Sequence, residues 1–283
     1  MRSVRVPSPE TIAHELRFPE GPAFAPDGSL WCVEFHGGSL RCWRGGESTQ
    51  SATGGEPNGA AVDRAGRVWF CDAGLCAIRR FDPRTDALET MANQIDGRPL
   101  RRPNDLAFDS AGNLVFTCPG DSRREPTGEV CCLSPDGEVS RVAGELYFPN
   151  GLAFTPDGGE LVVAETYRQR LWRGEWDAAR RLWRNPHVWA TGLDGAPGPD
   201  GMAFADDGSL FVAVYGAGII ARVDHRGSTV ERLATGGRCP TNCALDPSGV
   251  LGLVVTEAER GELLSMPDIR VGPALFHRTD EKA

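Results

Sequence analysis

A seven-residue phrase recurs six times along the 283 residues and limits what the chain can fold into. Phe18-Pro19-Glu20-Gly21-Pro22-Ala23-Phe24 returns as Glu56-Pro57-Asn58-Gly59-Ala60-Ala61-Val62 and as Arg102-Pro103-Asn104-Asp105-Leu106-Ala107-Phe108. It recurs as Phe148-Pro149-Asn150-Gly151-Leu152-Ala153-Phe154 and Gly198-Pro199-Asp200-Gly201-Met202-Ala203-Phe204, then in degraded form as Cys239-Pro240-Thr241-Asn242-Cys243-Ala244-Leu245. The residue after each proline is Glu20, Asn58, Asn104, Asn150, Asp200 and Thr241, and successive slots lie 38 to 50 residues apart. One four-stranded propeller blade takes roughly 40–50 residues. The spacing therefore predicts an all-β, six-bladed β-propeller with four-stranded antiparallel blades.

Each phrase runs into a turn such as Ala25-Pro26-Asp27-Gly28 or Thr155-Pro156-Asp157-Gly158. Proline presets φ there and glycine accepts a positive φ. A second short run follows, rich in β-branched and aromatic residues: Leu30-Trp31-Cys32-Val33, Val68-Trp69-Phe70-Cys71, Leu161-Val162-Val163-Ala164, Leu210-Phe211-Val212-Ala213. Such runs read as strands. No stretch carries capped 3.6-residue periodicity, and the segment around Trp176–Trp183 reads as a hairpin between outer strands. Thr11–His14 precedes its phrase as Val139–Val142 precedes the fourth, so the N-terminal segment is expected to close the last blade, beside strands ending near Gly261–Met266. The even spread of repeats predicts a single domain over residues 1–283.

The net charge of −9 and short Arg clusters argue against an extended nucleic-acid face. No run approaches the ~18 apolar residues of a membrane span. Met1–Pro9 lacks the apolar core of a leader, which predicts a cytoplasmic protein, and a monomer or small homo-oligomer is expected. The nine cysteines lack paired zinc spacing and read as reduced, small buried residues. Trp31, Trp43, Trp69 and Trp172 fall in strand runs and read as blade packing.

In a propeller the innermost strands line the central channel, so the six slots should converge on one mouth. The ends of the second strands, among them Glu34, Asp72, Glu165 and Glu257, are expected nearby. Carboxylates facing one another in a narrow channel repel unless a cation lies between them. Glu20, Asp200 and the Asn150 amide make an all-oxygen set suited to a hard divalent ion. Asn58 and Thr241 read as structural. No Gly-x-Ser-x-Gly elbow suggests a serine hydrolase.

These phrases, with Val212-Ala213-Val214-Tyr215-Gly216 behind the fifth, resemble the gluconolactonase, regucalcin (senescence marker protein) and luciferin-regenerating-enzyme family of six-bladed propellers. The resemblance covers about Leu16 to Met266. It implies one divalent ion (Ca²⁺, Mg²⁺, Mn²⁺ or Zn²⁺) held by Glu20, Asn150 and Asp200, and substrate contacts from Arg102 and Asn104. One departure is Thr117-Cys118-Pro119, where many lactonases of the family carry Thr-Asp-Pro. The expected activity is hydrolysis of a small-molecule lactone, a sugar lactone or similar hydroxylated ester, with Asp200 as general base for the attacking water. The alternatives are hydrolysis of another ester such as a phosphotriester, and a non-catalytic calcium-binding propeller.

Overall fold

Each copy of the phrase forms the innermost strand of a four-stranded antiparallel blade, and six blades make the propeller. The computed structural model describes residues 8–193 and 195–269. The innermost strands are Pro19–Phe24, Pro57–Val62, Leu106–Phe108, Pro149–Phe154, Gly198–Phe204 and Pro240–Leu245, in blades 1 to 6. Burial follows distance from the axis. Pro19–Phe24 and Leu30–Glu34 are buried throughout, whereas the outermost strand of the same blade, Glu47–Ala52, is almost wholly exposed. An inner strand is covered on both faces by neighbouring blades, which is why its sequence is apolar without alternation.

The core is divided among the blade interfaces. Between blades 4 and 5, for instance, Ala153, Val162, Met202, Phe204 and Leu210 pack together. Trp31 packs with Phe70 and Phe81 between blades 1 and 2, while Trp43, Trp69 and Trp172 fill other interfaces. The cysteines at 32, 42, 71, 118, 131 and 132 are buried and free.

Blade 6 is completed by the N-terminal strand Glu10–Ala13, which pairs antiparallel with Glu262–Met266. The expected span Thr11–His14 is thus shifted by one residue. Leu16 follows with its N–H donated to the Gly261 carbonyl at 2.9 Å and its side chain buried against Phe24, Leu30 and Leu263. The predicted hairpin near Trp176 forms from Arg170–Asp177 and Leu182–Thr191, with Trp176 opposite Trp183. Among the described residues the helical element is one 3₁₀ turn, Thr166–Arg168, and no helix is long and apolar enough to cross a membrane. Of the N-terminal stretch read as lacking a leader, residues 1–7 lie outside the described residues.

Candidate metal centre at the channel mouth

The slot residues reach the axis because the innermost ladder breaks at them. In five blades the register shifts across the slot: between Glu20 and Ala23, Pro57 and Ala60, Pro149 and Leu152, Pro199 and Met202, and Pro240 and Asn242. A bulge bends its strand and re-aims a side chain. In blade 3 the strand begins only at Leu106, after Asn104. Hydroxyls clamp adjacent slots together. Thr117 donates to the Asn150 carbonyl at 2.9 Å, Thr166 to the Pro199 carbonyl at 2.7 Å, and Thr241 to the Pro19 carbonyl at 2.8 Å. Thr241 is wholly buried and does not line the mouth, in keeping with a structural part.

A cavity of about 310 Å³ at the mouth is lined by Glu20, Asn150, Asp200, Arg102 and Asn104, so the structure brings all five expected site residues into one space. Asn58, read from the sequence as structural, lines it too. In three blades the residue two before the slot also lines the cavity. Phe18, Arg102 and Phe148 occupy this position, and all three adopt left-handed φ values, 59°, 49° and 56°. That conformation costs a non-glycine residue roughly 1–2 kcal/mol. Here it brings the three side chains into the cavity wall, a concentration of strain typical of functional sites.

Below the slots the channel narrows, and the repeat's glycine is explained by lack of room. A Cβ on Gly59 would lie 2.1 Å from Asp105 Oδ1, and one on Gly201 would lie 1.9 Å from Asn242 Cγ. The two repeats without this glycine carry Asp105 and Asn242, whose side chains meet with Asn242 Nδ2 3.5 Å from Asp105 Oδ2. They fill the throat beneath the mouth. The sequence signal for this plug is the replacement of glycine by Asp and Asn in two of the six copies.

Glu20, Asp200 and Asp105 are each at most 7% exposed. Burial first, and then the charge of Asp105, push the Glu20 carboxyl up to about 8, despite hydrogen bonds from the Gly21 N–H and Asn242. Burial raises Asp105 to about 7. Asp200 is held well above the usual carboxylate range by burial, then by the charges of Glu20 and Asp105, although Asn150 and the Gly201 N–H donate to it. Asn58 Oδ1 is buried without a hydrogen-bond partner. A buried acceptor with no donor is costly. Repelling carboxylates and an orphaned amide oxygen in one cavity are both relieved by a cation, so these residues fit one. No group of three His, Cys, Asp or Glu side chains suited to a metal occurs among the described residues. The fit therefore depends on amide oxygens beside two carboxylates, a donor set for hard ions rather than zinc.

The raised carboxyls predict a pH dependence of the metal-free protein. Between the ordinary values of 4.5 and 3.8 and the raised values near 8 and 7, the native state holds protons that the unfolded chain has released. Stability in EDTA should therefore fall as pH rises from about 4 through 8. Thermal melting at pH 5 and pH 8 should show a larger fall for wild type than for Glu20→Gln. Equal falls would contradict the assignment.

Glu34, Asp72, Glu165 and Glu257 do not line the cavity, and this corrects the expectation that they add carboxylates to the mouth. Each is almost fully buried and accepts a backbone N–H from the residue two or three before its blade's slot: Arg17, Glu56, Tyr147 and Cys239, at 2.7 to 3.0 Å. They pin the segments that enter the innermost strands. A larger cleft of about 460 Å³ lies between blades 2 and 3. Its Arg67 and Arg80 are paired with Asp63 and Glu89 at 2.7 and 2.6 Å.

The family model described as the SMP-30/Gluconolactonase/LRE-like region matches residues 18–259. The gluconolactonase of Zymomonas mobilis is 30% identical over 241 residues, covering 73% of this chain and 67% of that protein. Diisopropyl-fluorophosphatase of Loligo vulgaris is 33% identical over 184 residues, covering 58% of this chain and 56% of that protein. The solved structure of a gluconolactonase from Xanthomonas campestris superposes with a TM-score of 0.80 at 27% identity, covering 91% of this chain and 89% of that one.

Proposed function

The chain belongs to the SMP-30/gluconolactonase/LRE-like family, and from that premise we propose that it is a divalent-metal-dependent hydrolase opening a lactone, a sugar lactone or similar hydroxylated cyclic ester. The observation that carries the reading is that the mutually repelling buried carboxylates Glu20 and Asp200 line one cavity with Asn58, whose buried amide oxygen has no hydrogen-bond partner. Glu20, Asn150 and Asp200 would hold the ion, and the Asn58 amide lines the same cavity. When bound, the ion supplies Lewis acidity that polarises a carbonyl and makes a water more acidic.

The chain's own residues do the rest. Asp200 must be ionised to act, and the Asn150 amide and Gly201 N–H that donate to it favour that form. It accepts the proton of the attacking water as the C–O bond to the carbonyl carbon forms. The proton then passes to the ring oxygen as the ester bond breaks, leaving one hydroxy acid. Asn104, half-buried on the wall, offers both a donor and an acceptor to substrate hydroxyls. Arg102 reaches the rim with its Nη2 donated to Glu56 at 3.0 Å, which leaves its other N–H groups for substrate.

A second reading, hydrolysis of a phosphotriester by the same residues, is favoured by the 33% identity to diisopropyl-fluorophosphatase. One experiment addresses both. Protein stripped with EDTA and resupplied separately with Ca²⁺, Mg²⁺, Mn²⁺ or Zn²⁺ is assayed for acid release from aldonolactones, simple lactones and a fluorophosphate ester. Lactone opening restored by Ca²⁺, Mg²⁺ or Mn²⁺ is expected. Cleavage of the phosphoester alone would replace the first reading by the second, and turnover undiminished in EDTA would end both.

A further inference from the structure

Two guanidinium groups line the mouth cavity, and they differ in what neutralises them. Arg102 is ion-paired with Glu56 at 3.0 Å. Arg123, on the loop between the second and third strands of blade 3, pairs with Asp121 at 3.9 Å, with both side chains more than half exposed. A pair that long and that wet contributes little. Arg123 is instead laid over two rings. Its guanidinium carbon lies 5.7 Å from the Phe148 ring centroid and 6.0 Å from that of Tyr167, and these rings meet edge-on at 5.3 Å. Phe148 is one of the left-handed rim residues, so the shelf under Arg123 rests on backbone strain. An aromatic base orients a guanidinium without occupying its N–H donors.

A divalent ion would balance Glu20 and Asp200, and Arg102 has Glu56 at 3.0 Å, leaving Arg123, with Asp121 no nearer than 3.9 Å, as the least compensated charge of the wall. We infer that Arg123 is the anion-recognising group of the mouth, and that the substrate carries, besides its reacting carbonyl, a carboxylate or phosphate substituent. The inference rests on the lactonase reading and narrows its substrate class. The cavity, near the lower end of the roughly 300–1,000 Å³ range for small-molecule sites, suits a single substituted ring.

The test uses γ-butyrolactone rings bearing, beside the ring oxygen, a carboxylate, a phosphorylated hydroxymethyl group or a neutral carboxamide, with Ca²⁺-loaded protein. The better anionic lactone should exceed the carboxamide in kcat/KM by about 10- to 100-fold, the size of a charge-assisted pair. Which anion leads separates the carboxylate from the phosphate form. Arg123→Met should bring the ratio close to one, and Arg123→Lys should recover part of it. Equal rates for charged and neutral rings in wild type, or a preference that survives Arg123→Met, would overturn the inference and leave the lactonase reading standing. If no ring opens, ligand-detected NMR with tetrahydrofuran-2-carboxylate, tetrahydrofurfuryl phosphate and tetrahydrofuran-2-carboxamide decides. Anion-selective binding lost in Arg123→Met supports the anion site while the lactonase reading falls; binding without selectivity overturns the anion site as well.

Discussion

Asp200→Ala is expected to abolish divalent-ion binding and turnover together, each by about 10³-fold or more, while the propeller stays folded. The expectation follows from what surrounds the carboxylate. Asp200 is 7% exposed and faces the charges of Glu20 and Asp105, so in the absence of a cation it is a source of repulsion rather than of stability. Removing it should raise the melting temperature of the EDTA-treated protein while erasing the rise that Ca²⁺ gives wild type. Glu20→Gln should behave likewise, because the amide keeps the volume and loses the charge. Opposite signs in the two melting experiments separate loss of a ligand from loss of the fold, since a merely damaged protein would melt lower in both. Calorimetric titration with Ca²⁺ provides the check, and wild-type affinity in either variant would refute the site.

Deleting residues 1–17 should lower the melting temperature by about 10 °C or more. The strand Glu10–Ala13 closes blade 6, and Ile12, Ala13 and Leu16 complete the cluster of Phe24, Leu30, Cys32, Val254 and Leu263 between blades 6 and 1. Burying an aliphatic side chain contributes ~1.5–3 kcal/mol, so Leu16 and the partly buried Ile12 together contribute about 4 kcal/mol before the lost ladder is counted. At roughly 2–4 °C per kcal/mol for a domain of this size, the shift reaches that value. The deletion also bares Glu262–Met266 as an unprotected edge, which invites association between chains. It further removes the Arg17 N–H that Glu34 accepts at 2.9 Å, just ahead of the Glu20 slot. A melting curve unchanged by the truncation would show that the closure carries no stability.

Much of this was legible because a propeller writes its geometry locally. The proline of the phrase, the slot residue and the turn that follows lie within about ten residues of one another, and their recurrence counts the blades without reference to long-range contacts. The expectation that Glu20, Asn104, Asn150 and Asp200 share one space needed only the equivalence of blades, that for Arg102 came from the family resemblance, and the cavity is lined by all five. The same equivalence misled at Glu34, Asp72, Glu165 and Glu257. A carboxylate at the end of a second strand lies at the correct height, but its blade's entering segment has N–H groups to satisfy and takes it first.

By itself the sequence determined an all-β propeller, the number of its blades, the closing role of the N-terminal strand and the set of oxygens at one recurring slot. The tertiary structure decided which of those oxygens are left without partners. Asn58 is marked out by an unsatisfied Oδ1, not by its residue type, and the Asp105–Asn242 plug joins residues 137 apart. The bond from Thr241 to Pro19 that helps close the ring spans 222 residues. Left-handed Phe18, Arg102 and Phe148 leave no mark in the phrase, because the other copies carry Glu56, Gly198 and Cys239 at the same position. The physical reason is common to all four. A repeat specifies what each blade can offer, whereas hydrogen-bond satisfaction, repulsion and strain depend on distances that exist only once the ring has closed.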